Sequence, residues 1–358
     1  MDPLTHTLVG ASLAATRLGE KTRLAAPALI VGANLPDVDG LAYFLGGDFA
    51  LGFRRGWTHG LLALVVLPAV LAGLLMLWGR WRKKKTDSRP LSPGWLLGLC
   101  YLACLTHPCL DWLNNYGMRW LMPFRDTWFY GDSVFIMDPW LWMILGLGWG
   151  IGRRPSKVSS ITAAVLAGLV IWLVGSRAPD YLPIVGSVFA LLLLAFLWRP
   201  RVRGLSAHRA ATVGLVLGSL YIGILISLHA LTVSRVSAEL QDRGLTNYRE
   251  LMAGPTPTNP LAWDIVVEIQ DSYQWGRFDW RHGSLMMSQA ELPAARTSSR
   301  WNDILTSGQA SGFLRWVRYP WLEIESTPAG SRVYLMDARY TRGRTSGFGA
   351  SVIELPDH

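Results

Sequence analysis

Residues 54–67 read RRGWTHGLLALVVL. His59 stands at the start of an apolar segment that continues to about residue 79 and is long enough to cross a bilayer. A titratable group at membrane depth is costly unless it is paired. The stretch therefore predicts a membrane helix with a polar residue at its N-terminal end. His59 is a functional candidate if other polar groups lie at the same depth in the membrane.

The composition is that of an integral membrane protein. Of the 358 residues, 51% are apolar, 18 are Trp and only 16% are charged. A net charge of +9 would suggest nucleic acid as a partner of a soluble protein, but topology is the first explanation for basic residues in the short loops of a membrane protein. No nucleic-acid partner is expected. The three cysteines share one apolar segment and are expected to be packing residues.

Apolar segments of bilayer length recur along the first two thirds of the chain. The expected spans are 24–45, 60–79, 94–114, 138–152, 158–176, 181–198 and 212–231, with an additional early helix at 3–16. The chain start lacks the basic region of a cleavable signal peptide, so the early helix is expected to remain. The predicted fold is a polytopic α-helical membrane bundle of about seven or eight helices.

Basic residues distinguish the two sides of this bundle. One set of alternate loops, which includes residues 80–89 and 199–209, holds far more Lys and Arg than the set that includes residues 54–59. Because Lys and Arg are retained on the cytoplasmic side, the 54–59 loop is expected on the outer face. His107 and Asp111 then lie near the outer end of their helix, at the depth of His59.

A region of different character begins at about residue 232. It has a predicted helical stretch at 237–251 and a breaker run at 254–260. The β-branched and aromatic segments at 263–270 and 273–280 predict a β-hairpin, and those at 332–337 and 349–355 predict further strands. We expect two domains. Residues 1–231 form a transmembrane metal-binding domain, and residues 232–358 form an α+β domain on the outer side.

Two motifs carry side chains that suit a metal ion. His107 and Asp111 are four residues apart and so share one helix face, although a simple His–Asp hydrogen bond would explain this pair equally well. Asp37 and Asp39 follow the helix breaker Pro36 inside an apolar segment, where two carboxylates are costly to bury without a cation. The alternative for them is a solvent-exposed loop.

Three histidines and three aspartates are therefore expected to converge near the outer leaflet. The candidate metal ligands are His6, Asp37, Asp39, His59, His107 and Asp111. This nitrogen and oxygen set suits divalent zinc, manganese, iron or magnesium. Six groups exceed the four that one tetrahedral zinc needs, which leaves two ions, or one ion with a general base, as alternatives.

Several short motifs taken together resemble the YdjM-like family of predicted membrane-bound metal-dependent hydrolases. They are Thr5-His6, LPDVD at 35–39, RGWTH at 55–59, His107-x-x-x-Asp111 with Gly117 and LMPF at 121–124, and residues 132–139. The resemblance spans roughly residues 5–140. It implies a multi-pass protein of the bacterial cytoplasmic (inner) membrane with a metal site.

The chain departs from the family pattern at one position. Many members have His where this chain has Arg54, so that position is not counted as a ligand. Arg54 and Arg55 are candidates for binding an anionic group of the substrate, because guanidinium pairs well with phosphate. Anchoring to lipid headgroups is an equal alternative. Asp132, in an outer loop, is expected either to turn the loop or to complete the metal shell, and it is also a candidate for binding the substrate.

These features predict a metal-dependent hydrolase at the outer leaflet, with zinc or manganese as cofactor and a phosphoester or lipid-linked substrate. Asp39 is the candidate general base, and Arg55 the candidate for stabilising charge on a phosphoryl group. Two other classes stay open. An ion-coupled transporter would need polar residues down to the cytoplasmic half, which the apolar residues 61–77 and 96–105 disfavour. A non-catalytic scaffold would use the metal as a structural staple.

Overall fold

The computed structural model describes residues 1–82, 89–150, 206–328 and 330–356, together with Ile161, Val165, Gly168 and Trp172. The chain divides into two compact units. The first contains Met1–Val38, Gly56–Ile226 and Pro257–Pro260, and the second contains Asp39–Arg55, Ser227–Thr256 and Leu261–His358.

Helices dominate the first part of the chain. In chain order the described α-helices are α1 (Pro3–Ala15), α2 (Ala25–Asn34), α3 (Gly47–Phe53), α4 (Leu61–Trp81), α5 (Pro93–Trp112), α6 (Pro139–Gly150), α7 (Ala207–Asp242), α8 (Trp301–Ser307) and α9 (Ser311–Trp316). The early helix expected at 3–16 is confirmed as α1. It begins with Pro3 at its first position, and the Asp2 carboxylate caps it by accepting from the amides of Leu4 and Thr5.

Small residues allow the helices of the first unit to approach closely. Helix α2 packs against α1 and α5, and α4 packs against α5. A Cβ added to Gly10 would lie 2.6 Å from the carbonyl oxygen of Leu29, and one added to Gly32 would lie 2.9 Å from Cβ of Ala103. Close backbone approach through small residues is the usual way in which membrane helices associate.

Within the described residues, four segments are long and apolar enough to cross a membrane. They are Ala25–Leu45, Leu61–Trp81, Pro93–Trp112 and Ala207–Asp242. Large apolar side chains such as Leu61, Val65 and Leu77 are exposed on α4, as expected of a surface that faces lipid. The predicted spans 60–79, 94–114 and 212–231 are confirmed as apolar helices α4, α5 and α7.

The predicted span 24–45 is not one continuous α-helix. Helix α2 ends at Asn34 and a 3-10 helix, Leu35–Leu45, follows it. Pro36 explains the break, because proline removes a backbone donor and disfavours the α conformation of the residue before it. Ten residues of α-helix rise only about 15 Å, which is roughly half of a hydrocarbon core.

Of the remaining predicted membrane spans, one overlaps a helix that the structure describes. Within the span expected at 138–152, the described residues form helix α6, Pro139–Gly150, and residues 151 and 152 lie outside the described residues. The spans expected at 158–176 and 181–198 lie outside the described residues.

The second unit contains two antiparallel sheets. The four-stranded sheet has the order β1 (Tyr248–Pro255), β2 (Ala262–Ile269), β3 (Ser272–Asp279) and β4 (Ser284–Pro293), and the three-stranded sheet has the order β5 (Pro320–Thr327), β6 (Gly330–Asp337) and β7 (Ala350–Leu355). The hairpin predicted at 263–280 is confirmed as β2 and β3, and the strands predicted at 332–337 and 349–355 are confirmed as β6 and β7.

The strands and one helix form three layers. Val236 and Leu240 of α7 pack on one face of the four-stranded sheet around the buried Trp263. On the opposite face, Val266 belongs to a core that includes Trp321 of β5. The alternation of side chains along β2 sends Trp263 and Val266 to different sides and so explains how one strand serves both cores.

The helix predicted at 237–251 is wrong in its second half. Helix α7 ends at Asp242, and strand β1 begins at Tyr248. Gly244 adopts a left-handed φ of 80°, which ends the helix because glycine takes this conformation without a steric penalty.

Candidate metal centre

The candidate centre begins with two side chains on α5. His107 and Asp111 are fully buried, and His107 Nε2 lies 3.6 Å from Asp111 Oδ2. Their spacing of four residues places them on the same helix face, as the sequence predicts. A buried carboxylate requires a positively charged or hydrogen-bonding partner. Further polar groups are therefore expected around His107 and Asp111.

Two other segments of the first unit supply those groups. His59, in the turn before α4, places its Nε2 3.1 Å from His107 Nε2 and 3.3 Å from Asp111 Oδ2. Asp37, in the 3-10 helix, places Oδ1 3.7 Å from His107 Nε2. One ligand atom from each of Asp37, His59, His107 and Asp111 lies within 4.8 Å of all the others. The geometry therefore brings four predicted ligands together.

Hydrogen bonds at Nδ1, the ring nitrogen that points away from the cluster, orient the imidazoles of both His107 and His59. His107 Nδ1 lies 2.7 Å from the carbonyl oxygen of Ala33, and His59 Nδ1 lies 2.9 Å from Thr58 Oγ1. A carbonyl oxygen only accepts, so His107 Nδ1 carries a proton, and in the neutral ring the Nε2 lone pair faces the cluster. Metal-binding histidines are commonly held in this way by a partner at the other nitrogen.

The chemistry of these donor atoms fits a divalent cation. Two imidazole nitrogens and two carboxylates make a set that suits zinc, manganese or iron, and four protein ligands match tetrahedral zinc. We call Asp37, His59, His107 and Asp111 the four-residue cluster. This cluster could hold a metal ion.

His6 lies beside the four-residue cluster. Its Nε2 is 3.2 Å from Asp111 Oδ1, and its ring stacks on that of His107 with 3.7 Å between centroids. The amino group of Met1 contacts the same Asp111 oxygen. Asp111 thus directs Oδ2 to the histidines of the cluster and Oδ1 to His6 and Met1. The role of His6 as a metal ligand stays a prediction.

In the second unit Asp39 is bonded to the arginine pair. One of its carboxylate oxygens lies 3.3 Å from Arg54 Nε, and the other accepts from the backbone amide of Arg55 at 2.8 Å. Arg54 also lies over the ring of Tyr43, whereas Arg55 is buried and has a left-handed φ of 53°. Among the described residues, the converging ligand atoms include Asp37 and not Asp39. A metal or general-base role for Asp39 stays a prediction.

The loop between α5 and α6 contains the candidate Asp132 and a second aspartate, Asp138. Asp132 is buried and has a left-handed φ of 47°. Asp138 is the N-terminal cap of α6, because its Oδ1 accepts from the amide of Leu141 at 2.9 Å, while Oδ2 accepts from Tyr221 at the same distance. Asp138 therefore has a structural role, and a substrate role for Asp132 stays a prediction.

Sequence reasoning missed the residues that support the ligands. Thr58 and the carbonyl of Ala33 orient the two histidines. Arg119 is fully buried beside Gly56, in the loop that faces the His59 turn. The position of Thr58 directly before His59 was a usable signal, because hydroxyls often bond locally to neighbouring groups. No local signal identifies Ala33 or Arg119, which depend on contacts distant in sequence.

Apolar helices that enclose buried histidines and carboxylates define a membrane protein with a candidate metal centre. The family described as YdjM inner membrane protein matches residues 1–179, and this chain belongs to that family. All four residues of the cluster lie within the matched range. The family and the apolar helices place the chain in the bacterial inner membrane. No curated protein and no solved structure matches the chain.

Proposed function

We propose that the protein is a metal-dependent hydrolase whose centre lies at the outer leaflet of the inner membrane. The observation that supports this most is the convergence of Asp37, His59, His107 and Asp111 within 4.8 Å. A divalent ion held there would polarise a scissile oxygen and acidify a water molecule. The four side chains would hold and orient the ion, and burial of both histidines would limit competition by bulk water.

The arginine pair supports an anionic substrate. Arg54 and Arg55 precede His59 by five and four residues in the chain, and guanidinium groups stabilise negative charge on a phosphoryl group. The hydrogen bonds of Asp39 to Arg54 and to the Arg55 amide favour a role in holding this segment. We infer a phosphoester or lipid-linked substrate that reaches the centre from the membrane.

The orientation rests on the distribution of basic residues. Seven or eight crossings with the basic loops inside would leave residues 232–358 outside the cytoplasm. A cysteine introduced at the exposed Asn302, in a Cys109→Ala background, should react with a membrane-impermeant maleimide in intact spheroplasts. Cysteine at the exposed Arg89 should react only after permeabilisation. The reverse pattern would contradict the orientation.

A structural metal site is the second candidate function. Four protein ligands close a tetrahedral shell, whereas catalytic zinc usually has three and keeps one position open. Four converging side chains would also suit a structural metal staple, so a non-catalytic scaffold is the alternative to an enzyme.

Hydrolysis assays separate the two functions. The detergent-solubilised protein would be incubated with phospholipids and with a chromogenic phosphodiester, with zinc or manganese added in separate samples. We expect hydrolysis by the wild type and by His282→Ala, which changes a histidine of the second unit, and none by His107→Ala. A metal-bound wild type that hydrolyses nothing, with a lower Tm for His107→Ala, would support the scaffold. Equal hydrolysis by His107→Ala would place the reaction elsewhere.

A further inference from the structure

We propose that Arg119 is a positioning residue that fixes the turn carrying His59, and that residue 56 is glycine because the Arg119 guanidinium occupies the space of a side chain there. The inference deepens the proposed function, because it concerns how one ligand of the four-residue cluster is held.

Three contacts fix the guanidinium of Arg119. The side chain is fully buried in the loop between α5 and α6. Its Nη1 lies 2.8 Å from Asp126 Oδ1, and its Cζ lies 4.8 Å from the centroid of the Trp128 ring. A buried charge is costly unless it is paired, and removing one partner leaves the other uncompensated. Displacing the guanidinium would break its pair with Asp126 and leave a buried charge uncompensated.

The third contact is with Gly56. A Cβ added to Gly56 would lie 2.7 Å from Nη2, 2.8 Å from Cζ and 3.0 Å from Nε of Arg119. These three atoms belong to one planar group, so its face covers the position that a side chain would take. Gly56 is not among the residues with positive φ. Space, and not backbone conformation, therefore requires glycine at this position.

The backbone of Gly56 is joined directly to His59. The carbonyl oxygen of Gly56 accepts from the amides of His59 at 3.1 Å and Gly60 at 2.8 Å. A displacement of Gly56 would therefore move the His59 backbone, and with it the Nε2 atom that faces His107 and Asp111. Small misplacements of a ligand are sufficient to weaken a metal site.

The same loop also holds the far end of the turn. The amide of Leu61 donates to the carbonyl oxygen of Trp120 at 2.9 Å. A Cβ added to Gly60 would clash with the carbonyl oxygen of Met122, so the two backbones are in close contact. Residues 119–122 thus contact both ends of the turn that carries His59. These contacts hold the candidate metal ligand His59 in position.

A double-mutant cycle in metal affinity tests the inference. The variants are Gly56→Ala, Arg119→Lys and the double variant, in the detergent-solubilised full chain. Lysine keeps the charge but lacks the planar guanidinium. Matched controls are Gly73→Ala, at a helical glycine with open space around its Cβ position, and Arg125→Lys, at an exposed arginine of the same loop. The Kd for zinc and for manganese would be measured by competition with a chelator, and the Tm of metal-free protein alongside.

We expect Gly56→Ala to weaken metal binding by about tenfold or more, the size of effect known for groups that orient metal ligands. In the Arg119→Lys background the same substitution should have little further effect, because the obstructing group is gone. The controls should bind as the wild type does. Arg119→Lys alone should weaken binding less than Gly56→Ala, and it keeps the test usable should Gly56→Ala fail to fold.

Three outcomes would contradict the inference. Equal metal Kd values for wild type and Gly56→Ala, with only the Tm lowered, would show that the contact between Gly56 and Arg119 affects stability and not metal binding. Additive effects of the two substitutions would mean that Arg119 does not act through Gly56. A wild type that binds no divalent metal would overturn the proposed function and the inference together, whereas the first two outcomes leave the proposed function intact.

Discussion

His59 and His107 face each other through their Nε2 atoms at 3.1 Å, although 48 residues separate them in the chain. His107 Nδ1 donates its proton to the carbonyl oxygen of Ala33, so a neutral His107 directs the Nε2 lone pair towards His59. Two carboxylates, Asp37 and Asp111, border the same pair. Four electron-pair donors at this spacing are typical of groups that share a cation.

The first prediction concerns metal content. Wild-type protein purified without chelators should contain a divalent metal close to one ion per chain or above, whereas His107→Ala should retain little, because one of four candidate ligands is lost. Elemental analysis for zinc, manganese, iron and magnesium checks this. His282→Ala is the control. Metal at background level in the wild type would contradict the proposed centre.

The second prediction concerns His6. Because its Nε2 contacts Asp111 Oδ1 and not the oxygen that faces His59, His6→Ala should keep one ion bound with an affinity about 10 to 100 times weaker, as for other groups that orient a ligand. Chelator competition together with elemental analysis measures both quantities. A fall from two ions to one would instead identify His6 as the ligand of a second ion.

The third prediction concerns the stability of the second unit. The Asp48 carboxylate accepts from the amides of Gly312 at 2.9 Å and Phe313 at 2.8 Å, at the start of α9. Asp48→Ala should lower the free energy of unfolding by about 1 kcal/mol, the typical effect of losing such a helix cap. Thermal unfolding should show a Tm lower by a few degrees. Glu323→Ala, an exposed acid on β5, is the matched control and should have no comparable effect.

The fourth prediction concerns pH. Burial raises the pKa of Asp264 on β2, although Arg342 at 3.4 Å and Arg277 at 3.8 Å oppose the shift. A carboxyl whose folded pKa is raised binds its proton more tightly in the folded state, so its contribution to stability is present below its unfolded pKa of about 3.9 and is lost as pH rises through the folded value.

Asp264→Asn removes this titration. The Tm of the variant relative to wild type should therefore rise as the pH increases from about 4 towards neutrality. Thermal unfolding of both proteins across this range measures the difference. A Tm difference that stays constant with pH would mean that the Asp264 pKa is the same in the folded and unfolded chain.

Much of the fold could be predicted because membrane helices and amphipathic strands leave strong local patterns. The apolar segments at 60–79 and 94–114 have no plausible conformation in lipid other than a helix, since every backbone donor must be satisfied within the segment. Alternation along residues 263–280 predicted a hairpin with similar clarity. The helix expected at 237–251 ends at Asp242 because Gly244 takes a left-handed φ, and residues 248–251 instead pair with β2, a contact distant in sequence.

The sequence alone determined that the chain crosses a membrane, that His107 and Asp111 share a helix face, and that the candidate metal ligands are nitrogen and oxygen donors. Tertiary structure decided which residues meet. In a 3-10 helix with three residues per turn, side chains two positions apart point in different directions, so Asp37 joins His107 while Asp39 bonds to Arg54. The contact of Arg119 with Gly56 was equally beyond the sequence, because it depends on where one loop folds against another.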